Sequence, residues 1–126
     1  MRFPKDQYSI DDFQSAYPKV FSQLTYIECN VGWFYIINAL ANSLEKHINK
    51  LNIDEDICFT QIKEKFGLLR VYTSYSDDVI NSLIDMAEKI SSNTCEICGC
   101  RGFNISINKW CYTRCDECFK AIKLGR

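Results

Sequence analysis

Two C-x2-C pairs constrain this chain more than any other feature. Cys95-Glu-Ile-Cys98 and Cys115-Asp-Glu-Cys118 are separated by 16 residues. Four thiolates at this spacing match a tetrahedral zinc site, because each tight turn aims two sulfurs at one ion. Gly99, directly after Cys98, lets the first turn relax without Cβ strain. Six of the eight cysteines fall between positions 95 and 118, while Cys29 and Cys58 stand alone in apolar surroundings. The N-terminal stretch MRFPKDQY lacks the apolar core of a signal peptide, which predicts a reducing compartment where clustered cysteines favour metal over disulfides. Cys100 and Cys111 do not fit the paired spacing and are read as spare thiols. Four thiolates leave no vacancy for a water, so one structural Zn2+ on Cys95, Cys98, Cys115 and Cys118 is expected rather than a hydrolytic centre.

The residues around the pairs predict a small fold. From Phe103 to Trp110 apolar and polar residues alternate, with Phe103, Ile105 and Ile107 on one side, as in a hairpin. The segment FKAIKL after Cys118 reads as a terminal helix, placing the second pair at its start. Knuckle, hairpin and helix together predict a treble-clef-like finger over 94–126. Trp110 is expected to close over the zinc core as a hydrophobic lid, with base stacking as the alternative.

Residues 1–93 predict the body. Ser9 and Asp12 form a capping box ahead of a short helix that must end near Tyr17, before Pro18. Residues 24–29 read as an extended lead-in. Trp33, Ile37, Leu40, Ala41, Leu44, Ile48 and Leu51 trace one helical face over 33–51. His47, the only histidine, lies beside that face and is expected to have an ordinary structural partner. Residues 57–74 read as a β-hairpin turning at Lys65-Phe66-Gly67. Asp77 then caps a helix with Ile80, Leu83, Ile84, Ala87 and Ile90 on its apolar stripe, broken by Ser91-Ser92-Asn93-Thr94. The expected class is α+β, a single domain of 126 residues: helices packed on a hairpin, then the finger.

A wider pattern joins these pieces: Glu28-Cys29-x-x-Gly32-Trp33, then Lys63-Glu64-Lys65-Phe66-Gly67-x-Leu69-Arg70-x-Tyr72, then Ala87-Glu88. It continues through Cys95-Glu96-x-Cys98-Gly99 and Trp110-x-x-Thr113-x-Cys115-Asp116-x-Cys118. From about Tyr17-Pro18 onward the chain resembles a small-protein family of bacteriophages and prophages with a C-terminal four-cysteine finger. It departs from the family at Asn30 and Leu68, where glycines are usual, which should stiffen two loops. The resemblance implies a phage-encoded origin and action in the cytoplasm of an infected bacterium, and it carries no activity with it.

Composition narrows the function classes. No apolar run approaches the roughly 20 residues of a membrane span. The net charge of −1 is uneven, with −3 over residues 1–56, −1 over 57–93 and +3 over 94–126. With one histidine, no glycine-rich phosphate loop and no nucleophile elbow, the chain is expected not to be an enzyme. Binding to a host or phage protein, for example as an inhibitor of host defence, ranks first by analogy with small phage proteins, with Lys63, Lys65, Phe66 and Arg70 as candidate contacts. Trp33, Phe34, Tyr35, Tyr72 and Tyr75 are further aromatic candidates, most of them expected in the core. Nucleic-acid binding ranks second, through Arg101, Lys109, Trp110 and Arg114 with Phe103 and Tyr112 as stacking groups.

Overall fold

Ser9 acts as the N-cap of α1 (Ile10–Ala16): its backbone N–H donates to Asp12 Oδ2 at 2.8 Å and its Oγ accepts from Asp12 N–H at 3.3 Å. The capping box read from the sequence is therefore formed, and the helix stops at Tyr17 as Pro18 requires. These coordinates belong to a computed structural model that describes residues 9–51 and 56–123. The MRFPKDQY stretch and Leu124, the last residue of the expected terminal helix, lie outside the described residues. Phe13, fully buried on α1, stacks on Phe21 at 5.0 Å and meets the edge of Phe34 at 5.7 Å; Phe21 in turn meets Phe59 at 4.9 Å. Such pairs add about 0.5–1.5 kcal/mol each beyond their area burial.

A 3-10 turn (Val31–Trp33) leads into α2 (Phe34–Lys50), whose Ile36, Ile37, Leu40, Ala41 and Leu44 face the core. Burial is worth roughly 1.5–3 kcal/mol for each large aliphatic side chain, so this stripe is a principal source of stability. The hairpin is β1 (Phe59–Lys65) and β2 (Leu68–Thr73), antiparallel, with Ile62, Leu69 and Val71 turned inward. Lys65 belongs to the strand, so the turn is the two residues Phe66 and Gly67, both at positive φ (56° and 76°). Two left-handed positions match the twist of the strands, but Phe66 bears a Cβ there, a strain of about 1–2 kcal/mol. Leu68 pairs with Lys65 as an ordinary strand residue, so no second glycine is needed.

Neither hairpin edge is left open. Along β1, Glu28 forms a parallel bridge with Lys63: its N–H donates to Ile62 O at 2.9 Å and its carbonyl accepts from Glu64 N–H at 3.0 Å. Along β2, side chains of α3 (Asp78–Ser91) take the outward donors: Leu69 N–H donates to Ser91 Oγ at 3.0 Å and Val71 N–H to Glu88 Oε2 at 3.1 Å. Capping the edge this way removes the template for unwanted strand pairing. Asp77 caps α3 as expected, accepting from Ile80 N–H at 2.8 Å. On the α3 stripe only Ile80 and Ala87 are fully buried; Leu83 and Ile84 are partly covered and Ile90 is exposed.

The second hairpin is β3 (Phe103–Ile107) and β4 (Trp110–Arg114), and α4 (Asp116–Lys123) closes the described chain. Among the described residues the fold is α+β, four helices and two antiparallel hairpins, with a four-cysteine cluster at its C-terminal end. No helix in them is long and apolar enough to cross a membrane. Phe103, Ile105 and Ile107 do share a face, but that face points outward and Phe103 is half exposed.

Candidate metal centre

Three local structures deliver the four sulfurs. The first pair sits on a knuckle closed by Cys95 N–H to Cys100 O (2.7 Å) and Gly99 N–H to Cys95 O (2.9 Å), with Gly99 at φ 81°. The second pair straddles the start of α4: Cys115 precedes it, its carbonyl accepting from Phe119 N–H at 2.8 Å, and Cys118 lies in its first turn. Asp116 and Glu117 in that turn suit the positive end of the helix. β3 and β4 return the chain between the pairs.

The four Sγ atoms of Cys95, Cys98, Cys115 and Cys118 all lie within 4.8 Å of one another. Cys98 Sγ and Cys115 Sγ are 3.6 Å apart, far beyond an S–S bond of about 2.05 Å. A tetrahedron with metal–sulfur bonds of about 2.3 Å has edges of about 3.8 Å, so the cluster has the dimensions to hold one metal ion. Cys100 and Cys111 lie outside it. Protons are unevenly held among the four. Cys95 is lowered to about 7: burial opposes its thiolate, and hydrogen bonds from the backbone N–H groups of Cys115, Cys98 and Ile97 outweigh that penalty. Cys118 is pushed up to about 12 by burial and then by its hydrogen bonds to Cys115 and Cys95, and Cys98 is pushed up for similar reasons. Burial thus keeps the Cys98 and Cys118 thiols protonated, and a divalent cation would stabilise their thiolates while releasing those protons.

A buried carboxylate fastens the centre to the body. Glu96, inside the first C-x2-C, is only 4% exposed. Its Oε2 accepts from Thr113 N–H at 3.1 Å and lies 3.7 Å from Arg114 Nε; its Oε1 accepts from Asn30 Nδ2 at 3.2 Å. Its backbone carbonyl accepts from Gly32 N–H at 2.8 Å and its N–H donates to Thr113 O at 2.9 Å. Gly32 must be glycine because a Cβ would stand 2.2 Å from Cys95 O. Asn30, at φ −77°, needs no glycine freedom and supplies a hydrogen bond instead of a stiffer loop. Trp33, fully buried, donates its indole N–H to Thr94 O at 2.8 Å. From the other side the tip of the first hairpin presses in: Thr113 Oγ1 donates to Gly67 O and accepts from Asn104 Nδ2 at 3.1 Å. A Cβ on Gly67 would fall 2.8 Å from that amide.

The candidate contacts fall into two groups, one at each hairpin. Arg70 lies 3.7 Å from Glu88 and is partly covered; Lys65 reaches over the ring of Phe66, which is exposed at the tip; Lys63 stands on the outer face beside them. In the finger, Arg101 lies over Phe103 and Arg114 over Tyr112, the latter held by Glu96 and largely buried. Lys109 is exposed in the turn. Trp110 is not a lid: it is 70% exposed, because pairing with Ile107 puts it on the outward face. Of the other aromatic candidates Trp33 is fully buried, Phe34 and Tyr75 are partly buried against the core, and Tyr35 and Tyr72 remain exposed. His47 has its ordinary partner, Asp77 Oδ2 at 2.8 Å, and that hydrogen bond holds the Asp77 carboxyl below the usual carboxylate range. Glu96, Thr113 and Gly67 appear in the sequence motifs, yet nothing in their spacing signalled that they meet. Compared with known proteins, the chain matches no family model, no curated protein and no solved structure.

Proposed function

We propose that the chain is a phage-encoded, non-catalytic binding protein whose four cysteines hold one structural zinc ion, and that its partner is a nucleic acid in the cytoplasm of the infected bacterium. Zinc is favoured because four thiolates suit a borderline-soft ion with no demand for an open coordination position. A closed tetrathiolate also supports a non-catalytic role, since no position is left for a water to be activated. One observation carries the choice of partner. Between Cys100 and Cys115 there is no acidic residue, and beside the solvent-exposed Trp110 the segment displays two cations that no carboxylate among the described residues holds, Arg101 and Lys109, while Arg114 is taken by Glu96.

The second reading, a host or phage protein bound at the first hairpin, is favoured by Phe66, which is 64% exposed in a strained turn pinned to the finger. Affinity capture from a bacterial lysate, with and without nuclease, separates the two. Nucleic acid should be recovered, vanish on nuclease treatment and fall in an Arg101→Ala/Lys109→Ala double variant. A stoichiometric protein that survives nuclease and is lost with Phe66→Ala would transfer the function to the first hairpin.

A further inference from the structure

We infer that the outward face of the second hairpin binds nucleic acid as a single strand, by stacking bases on Trp110 and Phe103 while Lys109 and Arg101 take phosphates. This rests on the nucleic-acid reading above and adds which form is bound, on which face and by which residues. The register decides the face. Thr113 and Asn104 point toward the tip of the first hairpin, so their neighbours Phe103, Ile105, Ile107, Trp110, Tyr112 and Arg114 all stand on the opposite side. That side is aromatic and aliphatic with no carboxylate from either strand; its Arg114 is largely buried against Glu96, so the free charge near it comes from Lys109 in the turn and Arg101 beside Phe103. Phe103 (49% exposed) and Trp110 (70%) lie at its two ends. Four residues of strand separate those ends, about 13 Å at 3.3 Å per residue, enough for a short run of bases at 3.4 Å each. The exposed ring of Trp110 suits an unstacked base, whereas a duplex hides its base faces.

The turn supplies an independent observation. Asn108 (φ 51°) and Lys109 (φ 70°) form a two-residue turn with both positions left-handed. Asparagine suits its place, but the second position is where glycine is favoured, and lysine is strained there. Lys109 makes no ion pair among the described residues, so its charge is not used within them. A charge displayed beside Trp110 for an outside phosphate accounts for the strained lysine.

The test uses the zinc-loaded full chain with fluorescently labelled oligothymidylate, oligouridylate and a mixed-sequence duplex of equal length, read by anisotropy across a salt series. The single strands should bind about tenfold more tightly than the duplex, and the DNA and RNA arms report which backbone is preferred. Trp110→Ala should weaken single-strand binding about tenfold, in keeping with the loss of one base stack. Lys109→Gly should weaken binding several-fold and flatten the salt slope by about 0.7, while raising the thermal midpoint by a few degrees through relief of the turn. Lys109→Arg should restore the binding. Equal affinity for duplex together with an unaffected Trp110→Ala would overturn the single-strand inference and leave the nucleic-acid reading standing. Lys109→Gly that gains stability without losing affinity would overturn the role given to Lys109. No binding to any of the three probes would remove the nucleic-acid reading itself, and this inference with it.

Discussion

Glu96 is the residue on which the attachment of the finger turns. A carboxylate that is 4% exposed, with Thr113 N–H, Asn30 and Arg114 around it, cannot be removed without leaving those groups unpaired in a buried place. Arg114 Nε already has no hydrogen-bond acceptor of its own, so it depends on the nearby charge. Glu96→Ala should therefore lower stability by about 3–5 kcal/mol, and Glu96→Gln, which keeps an acceptor but not the charge, by clearly less; urea unfolding of both variants checks this. Gly32→Ala should be equally disruptive, since the overlap is with the fixed backbone of Cys95 and Glu96 and no side-chain motion relieves it. A Gly32→Ala protein with unaltered urea midpoint would contradict the packing described here. Neither residue was readable in advance: an acidic residue between two cysteines is usually solvated, and a glycine's long-range contact leaves no periodic trace.

His47 and Asp77 couple two helices, since His47 is on α2 and Asp77 caps α3. The Asp77 carboxyl is held low by the His47 hydrogen bond and then by Ile80 N–H, so it binds its proton less readily folded than unfolded. Its stabilisation is therefore complete above the unfolded value near 3.9 and is lost as the pH falls through the depressed folded value. Asp77→Asn keeps the cap but loses that charge, so the stability difference between wild type and variant should shrink toward acid; a constant difference from pH 7 to pH 3 would count against the coupling. The helices were legible because Ser9, Asp77 and their apolar stripes agree in start signal and period. The second hairpin was legible as an element but not in its facing. Alternation divides residues into two sets without saying which is buried, and long-range contact from Gly67 to Thr113 makes that choice. Trp110 follows from the same contact: once Thr113 faces in, Trp110 faces out.

In the whole molecule the four-cysteine cluster and the body are interdependent, since Glu96, Thr113 and Gly67 belong to three segments that meet only if the knuckle is closed. Chelation of the ion should unfold the C-terminal third, lowering ellipticity and collapsing amide dispersion for residues 94–123, while the aromatic core around Phe13, Phe21 and Phe59 persists in a less stable form. Metal affinity should also fall with acidification, because the thiols of Cys98 and Cys118, pushed up by burial, must be deprotonated before they can ligate. The cluster itself was legible because two C-x2-C turns carry their geometry locally. The most direct measurement is native mass spectrometry of the chain and of six single Cys→Ser variants at positions 95, 98, 100, 111, 115 and 118, each expressed with zinc. One zinc per chain is expected in the wild type and in the variants at 100 and 111, with loss or sharp weakening at 95, 98, 115 and 118. A wild type without zinc, or a variant at 100 or 111 that loses it while one of the four retains it, would contradict a four-thiolate structural centre.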